Sequence, residues 1–254
     1  VGTLGAWWGT RAAPIGRVHA VAGSLRSQVA LVAADPDYRA LLLTFVLQAF
    51  GVGAMLAGVD YIARQVLRGP GAGSVLFVCF VAPAIVCTPL WERLAASAGK
   101  KRGYAAATVV LGGAALGLTA ARSLPSTLVY GIVALVGIGY AGAQLFPLAM
   151  LPDVAAADAQ RTGQNRVGVF TGVWTAGETL GMALGPGIYG LVLTLGGYVS
   201  STDSSAAQPE SALTAIVLGF SLLPGLLVLT SLALLRGYRL DPATHPAPQE
   251  NPRS

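Results

Sequence analysis

A chain of 254 residues that is 54% hydrophobic and only 11% charged, with a mean hydropathy of +0.65, lacks the polar surface of a dissolved globular domain, which is about 25% charged. Its net charge of +5 and pI near 9.5 would suit nucleic acid only if the basic residues formed one patch, and they are instead spread between apolar runs. Lipid is the solvent this composition fits.

The first residues, VGTLGAWWGT, have no charged start followed by an apolar core, so they are not a signal peptide. They read as the frayed end of an earlier helix, and the chain as part of a longer polypeptide. Residues 17–34 carry apolar positions at helical spacing with basic ones between, the pattern of a helix lying along a membrane surface. Asp35-Pro36-Asp37 punctuates that segment.

Roughly 20 apolar residues span a bilayer as a helix. Six stretches approach that length: 40–59, with LLLTFVLQAFGVGAML at its heart; 75–91, short and broken by Pro83 and Pro89; 104–121; 128–151; 167–195; and 212–235. The runs are continuous and do not alternate with period two, so they are helices and not barrel strands. The expected fold is an all-α membrane protein of six transmembrane helices. It divides into a cytoplasmic arm (1–39), the bundle (40–235) and a polar, proline-rich tail (236–254) that reads as disordered. Cys79 and Cys87 share one apolar run without CxxC spacing, and His19 and His245 lie outside the runs. No metal site or cofactor is expected.

The connectors carry the charge. With the arm, the second and fourth connectors and the tail on one side, that side holds thirteen basic residues, and the other holds only Arg64, Arg68 and Arg122. The positive-inside rule then puts both termini in the cytoplasm, as an even helix count requires. The expected location is the cell (inner) membrane. With the basic residues so placed, nucleic acid is not an expected partner.

The stretch LAMLPDVAAADAQRTGQNRVGVFTGVWTAGETLGMALGPGIYGL (148–191) resembles the tenth-to-eleventh helix region of glycoside–pentoside–hexuronide:cation symporters. These form the melibiose-carrier-like branch of the major facilitator superfamily. Pro152-Asp153, Asp158, Thr162-Gly163, Arg166, Gly168 and the glycine-rich helix after them carry the likeness. PLWERLAASAGKKRGY (89–104) is similar to that branch's link between its eighth and ninth helices. The resemblance implies the C-terminal half of a twelve-helix carrier, with solute bound between two six-helix halves near the midplane. Many members place a lysine in the eleventh helix about where this chain has Glu178-Thr179, a departure that bears on ion coupling and sugar specificity.

Glu178 is the one full charge deep inside an expected span. A carboxylate there costs roughly 2.5–3.5 kcal/mol on insertion scales and marks an ion or substrate contact by default. The plainer alternative is a protonated side chain bonded to backbone, or a pair with the other half. Gln48, Gln144, Tyr140, Trp174 and Thr179 are the other polar or amphipathic candidates, since sugar hydroxyls need paired donors and acceptors and a pyranose face stacks on a ring. Each of them also fits simple packing. Trp174 and Glu178 are four apart and share a helical face.

Gly177, Gly181 and Gly185 make a smooth helix face, and Pro186 removes a backbone bond and should kink the helix. Asp153, Asp158, Arg166, Glu92, Arg93 and Arg102 sit at cytoplasmic helix ends, where ion pairs could latch an inner gate or simply mark topology.

No GxSxG, HExxH or P-loop occurs, so an enzyme has no support in the sequence. The expectation is half of a secondary active transporter that moves a small polar solute, a sugar or glycoside, with H+ or Na+ by alternating access. A second six-helix half, either the missing N-terminal one or another copy, would complete it. The rivals are a non-transporting six-helix scaffold or lipid-handling protein, and an inert truncated gene product.

Overall fold

The computed structural model describes residues 25–200 and 208–240. After a short helix α1 (Leu25–Ala34), six helical spans follow, each long and apolar enough to cross a membrane. They are α2 (Pro36–Tyr61), extended by a π-helical turn over Ile62–Leu67; α3 (Ala72–Ala98); α4 (Lys100–Gly117); α5 (Ser126–Thr162); α6 (Val167–Leu195); and the pair α7 (Glu210–Phe220) and α8 (Leu222–Leu235), which form one span interrupted at Ser221. The chain is a multi-pass membrane protein.

The spans outrun the apolar stretches because hydropathy sees only the part that lipid must cover. The 37 residues of α5 are about 55 Å long at 1.5 Å per residue, well over a hydrocarbon core of about 30 Å. Its last turns therefore carry Asp153, Asp158 and Arg161 beyond the lipid. The start of α2 is set locally: the Asp35 side chain accepts from Tyr38 N at 2.9 Å, with Pro36 at the first helical position.

Pro83 and Pro89 do not break α3, which is continuous. The helix α6 likewise continues through Pro186. The interruption at Ser221 does follow from a proline, because Pro224 lacks the N–H that the Phe220 carbonyl would otherwise accept.

Packing falls into two triplets, α2–α3–α4 and α5–α6–α7/α8. The first helix of each packs on the second and the third of the other, α2 on α6 and α7/α8, and α5 on α3 and α4. The third helix of each leans on the first of the other and on its counterpart. Exchanging the triplets leaves the pattern unchanged, which is the arrangement of an inverted repeat. Glycine makes the crossings close. A Cβ on Gly53 would lie 2.6 Å from Met182 O, and one on Gly181 would lie 2.7 Å from Val46 O. Gly177 and Gly185 lie along the same crossing with α2, whereas Gly168 and Gly172 face open space.

The two middle helices stand apart from the rest. Only 6% of the most apolar stretch of α3 and 22% of that of α6 is buried, against at least 44% in the other four spans. Phe77, Ile85 and Val86 on α3 and Leu180, Leu184 and Leu191 on α6 are exposed.

The described residues continue past Leu235 to Leu240. Arg236–Leu240 pack back on the bundle and bury Tyr238, and burial raises that phenol's pKa above its ordinary value. Residues 1–24 and 241–254, which hold most of the expected arm and tail, lie outside the described residues, so only the end of the expected surface helix is seen, as α1.

Candidate functional site

Two polar clusters interrupt the apolar bundle. One centres on Gln48 of α2, which is 3% exposed. Its Nε2 donates to Thr108 Oγ1 of α4 at 3.0 Å and to Ser231 Oγ of α8 at 2.9 Å, and Tyr104 OH donates to its Oε1 at 3.1 Å. Thr108 and Ser231 in turn donate to backbone carbonyls of their own helices. Both amide hydrogens of Gln48 and one acceptor position are thereby used, and three helices are tied together away from water.

The second cluster is a recess lined by Phe45, Gln48 and Ala49 of α2, Leu111 of α4, Tyr140, Ala143 and Gln144 of α5, and Glu178 and Met182 of α6. Its open space is about 40 Å3, the scale of one or two water molecules. Four of the residues expected from sequence to contact solute therefore meet here, brought together from three helices. They are not equally free. Gln144 Nε2 donates to Tyr140 OH at 3.0 Å, one turn earlier on α5. The Tyr140 hydroxyl hydrogen and the Gln144 carbonyl oxygen have no partner among the described residues. Glu178 is half-buried and has no ion-pair partner among the described residues.

Trp174 and Thr179 are placed otherwise. Trp174 is 2% exposed, and its ring stacks on Phe45 with centroids 4.4 Å apart. The face expected to meet a sugar meets a phenylalanine. Its Nε1 is buried without a hydrogen-bond partner among the described residues. Thr179 is exposed on α6 and bonds Thr175 O at 2.8 Å, outside the recess.

The charged helix ends gather at one end of the bundle. Lys100 Nζ of α4 lies 2.5 Å from Asp153 Oδ2 of α5 and donates to Ala149 O at 2.9 Å. Asp158 is buried and lies 3.6 Å from Arg166 and 3.5 Å from Arg161, and Arg161 also bonds Asp35 at the start of α2. These pairs fasten this bundle's own helices to each other. Glu92, Arg93 and Arg102 are exposed and form no ion pair among the described residues. At the other end Arg64 pairs with Asp60 and Arg122 with Glu210.

Sequence reasoning passed over Thr108, Tyr104 and Ser231, and also Phe45. The partners of Gln48 are common residues about 60 and 180 positions away, and no local pattern marks them. Only the rule that a buried amide must be satisfied asks for them.

Six spans in two interleaved triplets, with a polar recess and two uncovered middle helices, make a helical membrane bundle. Residues 5–242 match the family described as MFS/sugar transport protein, and the chain belongs to it. Among curated relatives, the chain is 30% identical over 207 residues to an uncharacterized symporter of Synechocystis, sll1374, covering 81% of this chain and 35% of that one. It is 30% identical over 161 residues to the uncharacterized symporter YnaJ of Bacillus subtilis, covering 63% and 34%. A 29.9 kDa protein encoded in the crtE 3' region of Pseudescherichia vulneris is 37% identical over 95 residues, covering 37% and 34%. The chain spans about a third of the length of the curated relatives it matches, and the likeness to a symporter branch of the superfamily agrees with the motifs around Asp153 and Arg166.

Proposed function

We propose that the chain is the C-terminal half of a secondary active transporter that carries a small polar solute of the sugar or glycoside class together with a cation, H+ or Na+. The observation that supports this reading is the convergence of Glu178, Tyr140 and Gln144 on one recess with unspent hydrogen-bonding capacity. Glu178 is the coupling group, holding or releasing the cation, and the α5 pair Tyr140–Gln144 orients solute hydroxyls. Gln48 borders the recess as a structural tie.

The exposed apolar faces of α3 and α6 are where a second six-helix half seats. It is the N-terminal half of the same carrier or a second copy, and it encloses the solute space that one bundle leaves open. The bundle then rocks as a unit, held together by Lys100–Asp153 and by Asp35–Arg161–Asp158–Arg166. Glu92, Arg93 and Arg102 remain available to latch the other half. With the basic end inside, both termini face the cytoplasm of an inner-membrane protein.

The test is sugar uptake into proteoliposomes that contain the two-half carrier, with and without an imposed proton or sodium gradient. Glu178→Gln should abolish gradient-driven accumulation while leaving solute exchange at equilibrium. Accumulation at the wild-type level in this variant would remove Glu178 from the mechanism. The single bundle alone should not accumulate sugar.

A further inference from the structure

At the arginine-rich end, the segment after α8 turns back over the start of α2. Asp37 Oδ1 accepts from the backbone N–H of Arg239 at 2.5 Å and of Leu240 at 3.2 Å. Lys101 Nζ donates to the carbonyls of Arg236 and Tyr238, and the Tyr238 ring is buried. The turn is thus fixed from both sides. It holds Arg239 beside Arg39 at a cleft of about 420 Å3 between α2 and α8. Below the two arginines the walls are apolar: Ala40 and Leu43 from α2, and Ala233 and Leu234 from α8. Leu43 and Leu234 are exposed, and in a membrane-spanning bundle that exposure is to acyl chains.

The cleft also contains the Asp37 carboxylate, but it is engaged by two backbone amides. Arg39 and Arg239 have no carboxylate partner among the described residues. Arg239 further borders a neighbouring cleft with Lys101 and Arg102, in which Lys100 and Asp153 neutralise each other.

Two unpaired guanidiniums above a lipid-facing apolar slot match a phosphate attached to a hydrocarbon chain, because guanidinium binds phosphate oxygens in pairs. Basic pockets between spans at a membrane surface bind anionic headgroups for the same reason. We propose that this cleft binds an anionic phospholipid, with its phosphate between Arg39 and Arg239 and an acyl chain along Leu43 and Leu234. The site rests on the membrane assignment alone and holds whether or not the recess around Glu178 carries sugar.

Native mass spectrometry of the detergent-solubilised chain, titrated with phosphatidylglycerol or phosphatidylcholine of matched acyl chains, tests this. Wild type should prefer phosphatidylglycerol. A surface charge contributes roughly fivefold in lipid affinity, so the double variant R39Q/R239Q should lose about 25-fold for phosphatidylglycerol and little for phosphatidylcholine. R64Q/R68Q, at the other end, should bind as wild type does. Leu43→Trp, which fills the slot without touching charge, should weaken both lipids. Unchanged phosphatidylglycerol binding in either R39Q/R239Q or Leu43→Trp overturns the proposal, as does complete displacement of the lipid by millimolar inorganic phosphate.

Discussion

The Gln48 cluster and the Glu178 recess share a border, yet they treat polar groups in opposite ways. Around Gln48 every donor finds an acceptor on α2, α4 or α8, and Gln48 itself is buried. Around Glu178 a carboxylate, a phenol hydrogen and an amide oxygen are left without partners among the described residues, at a space of about 40 Å3. Lipid cannot satisfy a polar group, so a saturated cluster acts as a fastening and an unsaturated one waits for a partner. The difference shows that polarity within a span does not by itself mark a site. Unspent hydrogen-bonding capacity is what the proposed site adds to it.

Reciprocal substitutions offer the sharpest way to break this comparison. Glu178→Gln should eliminate gradient-driven uptake, yet leave the thermal midpoint of the purified bundle within about a degree, because the carboxylate has no partner to lose. Gln48→Leu should do the reverse. It removes the bonds to Thr108 and Ser231 and leaves Tyr104 OH without its acceptor, and three interhelical bonds in a membrane bundle amount to about 2 kcal/mol, or roughly 4–8 °C in the midpoint for a chain of this size. A Gln48→Leu protein with an unshifted midpoint would show that the network is not a fastening. The Gln48→Glu variant probes the same point, since it keeps an acceptor but removes both donors and should sit nearer to leucine than to wild type.

A middle-sized effect is expected at Tyr140. Tyr140→Phe removes the hydroxyl that Gln144 supports and that faces the recess. Losing one neutral hydrogen bond to solute weakens binding by about 1 kcal/mol, so the uptake KM should rise roughly fivefold to tenfold with the maximal rate little changed. If KM stays put, solute reads some other part of the recess.

The six spans were legible in the sequence because lipid enforces a length and a composition that few other structures share, and the count of basic residues located one end of the bundle. Helix ends were less legible, since α5 runs on through Pro152 and Asp153 where hydropathy has already fallen. Glu178, Tyr140 and Gln144 could be named because each is a polar exception in an apolar run. Whether such an exception is spent or free depends on residues far away in sequence. Gln48 and Trp174 therefore look alike in the sequence and differ in the structure. Similarly, Asp153 and Asp158 read as gate residues, but their partners Lys100, Arg161 and Arg166 belong to this same bundle, whereas Glu92, Arg93 and Arg102 keep their charge exposed.

Trp174 is the smallest test and decides where the boundary between the two clusters runs. Its ring packs on Phe45 like a fastening, yet its N–H is buried without an acceptor among the described residues, like a group awaiting a partner. Trp174→Phe keeps an aromatic stack and deletes the unsatisfied donor. A buried donor without a partner costs about 1–3 kcal/mol, an amount that roughly offsets the loss of packed ring volume, so the midpoint should move by no more than a few degrees. If the indole N–H serves only packing, uptake of sugar will be unchanged as well. A several-fold rise in KM at constant stability would instead extend the recess past Phe45 and make Trp174 a solute contact through its edge, while its face stays on the phenylalanine.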